Sequence, residues 1–147
     1  MKNDERIAVI GLGYVGLPLA VALAKHFKDV VGFDVNRKRV DALAQGNDWT
    51  GEIESEILKA SSLEVSSDPE CLRGRTFYAV TVPTPVDNNH RPDLGAVQAA
   101  CRTVAGYLEK GAIVALESTV YPGVTEDVCG PLMSEVSGLT AGEDFKL

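Results

Sequence analysis

The sequence predicts a doubly wound α/β fold, a Rossmann-type parallel sheet with helices on both faces. Three observations lead there. Short apolar runs alternate with longer segments of helical periodicity, the pattern left by parallel strands and their crossover helices. The first run, "RIAVI", passes through three closely spaced glycines straight into a helix-like segment. The second, "DVVGFD", ends on an acid, and no repeat or low-complexity tract interrupts the alternation.

Each element has a local reason. Arg6 to Ile10 is a short buried strand, and the glycine segment after it opens a helix. Pro18 falls in its first turn, where a missing N–H does least harm, and Val15, Leu19, Ala22 and Leu23 form its expected buried face. Asp29 to Asp34 is the second strand. Asn36 then caps a short amphipathic helix that buries Val40 and Leu43 and closes at Gly46. Glu52 to Ser61 reads as another helix. "LEVSSDPECL" reads as a weak strand and then a helical turn capped by Asp68 and started by Pro69. Thr76 to Val82 is the fourth strand. In the next helix Asp93 is the cap, Val97, Cys101, Val104 and Leu108 make the apolar stripe, and Gly111 is the stop. Ala112 to Leu116 is the fifth strand, a helix starts near Gly123, and "GEDFKL" reads as the opening of one more strand.

Composition narrows the function classes. A chain of 147 residues makes one domain, long enough to bury roughly two-thirds of its unfolded surface. With 45% apolar and 24% charged residues it is globular, and no apolar run reaches the roughly 20 residues of a membrane helix. The start, "MKNDERIAV", lacks the apolar core and cleavage site of a secretory signal, so a cytoplasmic location is expected. Cys71, Cys101 and Cys129 form no C-x-x-C pair, so buried thiols are expected rather than a metal site or a disulfide framework. His26, late in the first helix, and His90, in "DNNHRPD", are expected to face solvent. A net charge of −7 argues against nucleic acid as a partner. An anionic ligand must then be held by local dipoles and a few placed cations.

The glycines fit such a ligand. In "GLGYVG", Gly11 permits the tight turn out of the strand, Gly13 lets backbone approach a pyrophosphate with no Cβ between, and Gly16 lets helix and strand pack closely. The helix that starts here aims unpaired N–H groups and its positive dipole end at the phosphates. Asp34, about 20 residues beyond the glycines, stands where a carboxylate accepts hydrogen bonds from the adenosine ribose. It favours NAD, because it would repel the extra phosphate of NADP. The cations Arg37, Lys38 and Arg39 are either a solvated helix start, the reading that goes with NAD, or a site for that extra phosphate.

Topology supplies the rest of the cleft. The first and fourth strands of this fold are neighbours, and ligands lie outside their carboxyl ends. Pro83 and Pro85 in "VTVPTPVD" either shape a loop beside Gly11, with Thr84 offering a hydroxyl, or simply end a strand. Glu117, Ser118 and Thr119 follow the fifth strand; they serve a nicotinamide ring or a substrate, or Ser118 and Thr119 cap a turn.

Four ordered segments, "GLGYVGLPLA", "FDVNRKRV", "VTVPTP" and "ESTVYPGVTE", resemble the UDP-glucose/GDP-mannose dehydrogenase family. The "PTP" and "ESTVYPG" forms look most like its branch acting on UDP-N-acetylglucosamine, -galactosamine or -mannosamine. The resemblance covers nearly the whole chain. It implies an NAD-dependent enzyme that oxidises a sugar C6 alcohol to a carboxylate with two NAD, for capsule and O-antigen synthesis, as a homodimer at full length. By motif position it implies that Gly11, Gly13 and Gly16 cradle the pyrophosphate, Asp34 binds the ribose, and Arg39 helps to hold the adenosine end. Tyr14, Val15, Val82, Pro83 and Thr84 would line the dinucleotide, and Glu117, Ser118 and Thr119 would approach the nicotinamide. Thr119 matches a threonine that positions water or substrate, and is the one catalytic candidate. The family's catalytic cysteine, lysine and asparagine lie beyond the matched region. Residues 1–147 are therefore expected to be the cofactor domain of a longer protein, able to bind NAD but not to turn over a nucleotide sugar. A UDP-glucose or GDP-mannose 6-dehydrogenase, another NAD-dependent dehydrogenase, or a non-catalytic NAD-binding regulatory module are the alternatives.

Overall fold

The structure, a computed structural model, describes residues 4–147; the first three residues of the polar N-terminal stretch lie outside the described residues. Five parallel strands form the centre: β1 (Arg6–Ile10), β2 (Asp29–Phe33), β3 (Glu64–Ser66), β4 (Phe77–Val80) and β5 (Ile113–Leu116). Their order is β3-β2-β1-β4-β5, so β1 and β4 are neighbours as the sequence predicts. Ile10 lies level with both Phe33 and Val80, which brings the ends of β1, β2 and β4 out at one edge. The order reverses between β1 and β4, and there the connections leave a crevice.

The strands read as unbroken apolar runs because helices cover both sides. Ile7 and Val9 pack with Leu17, Ala20 and Val21 of α1 (Gly16–Ala24), Leu43 of α2 (Arg37–Ala44) and Leu58 of α3 (Ser55–Ala60). Ala8 and Ile10 point the other way, onto Val97, Cys101 and Val104 of α4 (Gly95–Ala105) and Met133 of α5 (Gly130–Ser137). As expected, Asp68 caps a short 3-10 turn, Pro69–Leu72, by accepting from the N–H of Glu70.

Several expectations are corrected. The buried face of α1 is Gly16, Leu17, Ala20 and Val21, with the expected Leu19 and Leu23 half-buried against the same cluster, whereas Val15 is 58% exposed and Ala22 faces solvent. This helix is apolar on every side, so periodicity does not select a face. The close packing of Gly16 on the carbonyl of Gly11 selects it instead. Asp93 accepts from the N–H of Gly95, but α4 closes at Gly106, and Gly111, at φ +86, turns the chain into β5. Leu108 is accordingly only half-buried. Gly123, at φ +93, begins a π-helical turn, Val124–Cys129, ahead of α5. Beside β5, the N–H of Val114 donates to the carbonyl of Lys146 at 2.8 Å and the N–H of Lys146 to that of Ala112 at 3.0 Å. "GEDFKL" thus starts a further parallel pairing, with Phe145 buried. Cys101 and Cys129 are buried and Cys71 is half-buried, all as free thiols.

Candidate functional site

At the switch point lies an open cleft of about 730 Å³, within the range of small-molecule sites. The three glycines meet it differently. Gly11 sits at φ +91, a left-handed conformation that glycine adopts without strain, and its N–H donates to the carbonyl of Phe33 at 2.8 Å. A Cβ on Gly16 would lie 1.7 Å from the carbonyl oxygen of Gly11, so this glycine is a packing requirement of the turn. A Cβ on Gly13 would meet no protein atom within 4 Å. Packing within the chain therefore gives Gly13 no reason to be glycine. The N-terminus of α1 carries no side-chain cap and no acid in its first turn. Leu17 donates to the carbonyl of Gly13 and Leu19 to that of Val15, and Pro18 has no N–H, so what this end of the helix offers an anion is chiefly its positive dipole end.

Asp34 follows β2 and is held from both sides. Its Oδ2 accepts from the N–H of Leu12 at 2.9 Å and its Oδ1 from the N–H of Asn36 at 2.8 Å. The carboxylate ties the glycine turn to the start of α2 and still lines the cleft. Arg37 and Lys38 are exposed, as a solvated helix start requires, but Arg39 corrects that expectation: it is 3% exposed. Its Nε donates to the carbonyl of Leu12 at 2.8 Å, and its Nη1 makes an ion pair with Asp48 Oδ1 at 2.9 Å, off the line of a hydrogen bond. Nη2 has no hydrogen-bond partner among the described residues.

Asp48 is a residue that the sequence reading missed. Its buried carboxylate accepts from the Thr50 hydroxyl at 2.6 Å and from the N–H groups of Thr50, Glu52 and Ile53. Burial by itself would raise its pKa. The Thr50 hydroxyl, the Ile53 N–H, the Arg39 guanidinium and the Thr50 N–H outweigh that and bring it to about 2. An Asp with a Thr two residues on is a turn signal, the only trace of this role in the sequence. Trp49, between them, also lines the cleft.

On the far side, Thr81 replaces plain strand with a polar latch, another residue missed: its hydroxyl lies 2.7 Å from the Gly11 carbonyl and 2.9 Å from that of Ile10. Ser118 donates to the carbonyl of Val82 and Thr84 to that of Thr119, both at 2.6 Å. These hydroxyls clamp the loops after β4 and β5 together, a bracing contact that the sequence did not show. Val82, Pro83, Thr84, Glu117, Ser118 and Thr119 line this end of the cleft, and Tyr14 and Val15 its exposed rim. One wall was not foreseen: Ala96, Ala99, Ala100 and Thr103 of α4. His26 and His90 are exposed, and no histidine, lysine or cysteine lines the cleft among the described residues. Nor do the described residues contain a cluster able to hold a metal.

The sheet, its switch-point cleft and the glycine turn define a Rossmann-type dinucleotide-binding domain. Residues 5–147 match the NAD-binding domain of the UDP-glucose/GDP-mannose dehydrogenase family, and the chain belongs to that family. It is 46% identical over 144 residues to a UDP-N-acetyl-D-glucosamine 6-dehydrogenase of Salmonella typhi, covering 97% of this chain and 34% of that protein. The UDP-D-ManNAc dehydrogenase structure from Pyrococcus horikoshii superposes with a TM-score of 0.87 at 38% identity, over 95% of this chain and 34% of that one. A ternary complex of GDP-mannose dehydrogenase from Pseudomonas aeruginosa gives 0.87 at 30% identity, over 96% and 34%. The chain thus spans about a third of the length of these relatives.

Proposed function

We propose that this chain is the cofactor-holding part of a nucleotide-sugar 6-dehydrogenase. The enzyme oxidises the C6 alcohol of a UDP-N-acetylhexosamine to a uronic acid with two NAD, acts as a homodimer, and feeds capsule or O-antigen polysaccharide. Gly13 carries the cofactor reading: it is a glycine that no protein atom requires, beside an uncapped helix N-terminus that suits a pyrophosphate. The two relatives named for UDP-N-acetyl or ManNAc sugars support that branch over UDP-glucose.

Each residue has a part in this reading. The backbone from Gly11 to Gly16 binds the pyrophosphate, with Tyr14 and Val15 along its rim. Asp34 accepts from the ribose hydroxyls through lone pairs that Leu12 and Asn36 leave free, and its charge disfavours the extra phosphate of NADP. Arg39 braces the turn beneath. Val82, Pro83 and Thr84 hold the middle of the dinucleotide. Glu117, Ser118 and Thr119 face the nicotinamide, where Thr119 positions water or substrate. Bound NAD supplies the hydride acceptor, and the residues here orient it and keep that end of the cleft ordered.

The experiment is calorimetric titration of the chain with NAD and NADP, and a panel of UDP-N-acetylglucosamine, -galactosamine, -mannosamine and UDP-glucose on the longer protein. Preference for NAD and NADH formation with an N-acetylhexosamine are expected. Tighter binding of NADP, or activity confined to UDP-glucose, overturns the corresponding half of the proposal.

A further inference from the structure

We infer that Trp49 is the stacking platform for the adenine base of the dinucleotide. This rests on the NAD reading above and adds the residue that receives the base. Asp34, Arg39 and Trp49 lie on the β2 side of the glycine turn, whereas Thr84 and Glu117 lie on the β4 and β5 side. With the ribose at Asp34 and the pyrophosphate at Gly13, the base falls beyond Asp34, on the wall that Trp49 and Val35 provide.

Trp49 is the chain's one tryptophan and remains 55% exposed, although an indole of that size ordinarily gains by burial. Its ring is already oriented. The guanidinium carbon of Arg39 stands 5.2 Å from the ring centroid, and Arg39 is itself pinned by the Leu12 carbonyl and by Asp48. On either side of Trp49 in the chain, Asp48 and Thr50 are joined by two hydrogen bonds. A ring backed on one face by a buried cation and tethered at both neighbours loses little freedom when a purine lies on it. The Asp48-centred turn, unexplained by the fold alone, thereby acquires a purpose: it places the platform.

The test uses the protein with NAD, ADP-ribose, AMP and nicotinamide mononucleotide, following indole emission and, separately, heat of binding. NAD, ADP-ribose and AMP are expected to change Trp49 emission, and nicotinamide mononucleotide to leave it unchanged. Trp49→Ala should weaken AMP and NAD by roughly five- to a hundredfold, while Trp49→Phe retains most of the affinity. NAD binding by heat with unmoved Trp49 emission, or full AMP affinity in Trp49→Ala, overturns the platform and leaves the cofactor domain standing. No heat of binding with NAD overturns the cofactor reading itself, and the platform with it.

Discussion

Gly13 and Gly16 are one residue type kept for opposite reasons, and substitution separates them. Gly13→Ala meets no protein atom and needs no left-handed backbone, so its melting temperature should stay at the wild-type value while NAD affinity falls at least about tenfold. Gly16→Ala drives a methyl into the Gly11 carbonyl and should cost about 3 kcal/mol or more in urea unfolding. Equal melting temperatures for the two variants would contradict this division. Asp34→Asn has a double effect. Only one oxygen remains to accept, so the new amide NH₂ confronts the N–H of either Leu12 or Asn36. NAD affinity should drop about ten- to a hundredfold by calorimetry, and stability should fall with it. Unchanged affinity would remove Asp34 from the site. Asp48 supplies a pH dependence. Its folded pKa is depressed from 3.8 to about 2, so its contribution is complete above the unfolded value and is lost as pH falls through the folded one. The advantage of wild type over Asp48→Asn should narrow by about 2 kcal/mol between roughly pH 5 and pH 2. A difference independent of pH would argue that Thr50, Ile53 and Arg39 do not hold the ionised form.

Helix α1 shows what sequence conveys about an element and what it does not. The strands were legible because helices bury both of their faces, which leaves runs such as Ile7 to Ile10 without a polar residue. The caps Asn36 and Asp68 were legible because their side chains do local chemistry. The buried face of α1 was not, since Leu17, Leu19, Val21 and Leu23 surround the axis with apolar groups and only contact with Gly11 orients it. The site divides in the same way. Glycines and an acid at known offsets declare themselves. Asp48 does not, because a turn has no period, and Thr81 does not, because one hydroxyl in a strand looks like any other. Trp49 becomes meaningful only once Arg39 is seen beneath it. The corrected helix face is itself testable. Leu17 is fully buried, so Leu17→Ala should cost about 2–5 kcal/mol, whereas Leu19→Ala, partly exposed, should cost clearly less. Equal unfolding midpoints would argue that Leu19 is buried as fully as Leu17 and so against the corrected face.

At the scale of the whole chain, a net charge of −7 leaves the binding of an anionic dinucleotide to local attraction, and α1 offers it an N-terminus with no side-chain cap and no acid in its first turn. Binding and chemistry therefore need different equipment. Taking an alcohol through an aldehyde to an acid requires a base for the first hydride transfer and a nucleophile to trap the aldehyde. The ionisable side chains along this cleft are those of Tyr14, Asp34, Arg39 and Glu117, with no thiol, amine or imidazole among the described residues. Cys101 lies in the core, where burial pushes its thiol up to about 12, and Cys129, also raised by burial, lies beside it. Neither can supply a thiolate at neutral pH. The expected outcome is that this chain binds NAD yet forms no NADH with any UDP-sugar, read as absorbance of the reduced nicotinamide over hours. NADH formation by the chain alone would mean that Thr119 or Glu117 performs the acid–base step unaided, and the division between cofactor-holding and catalytic parts would have to be redrawn.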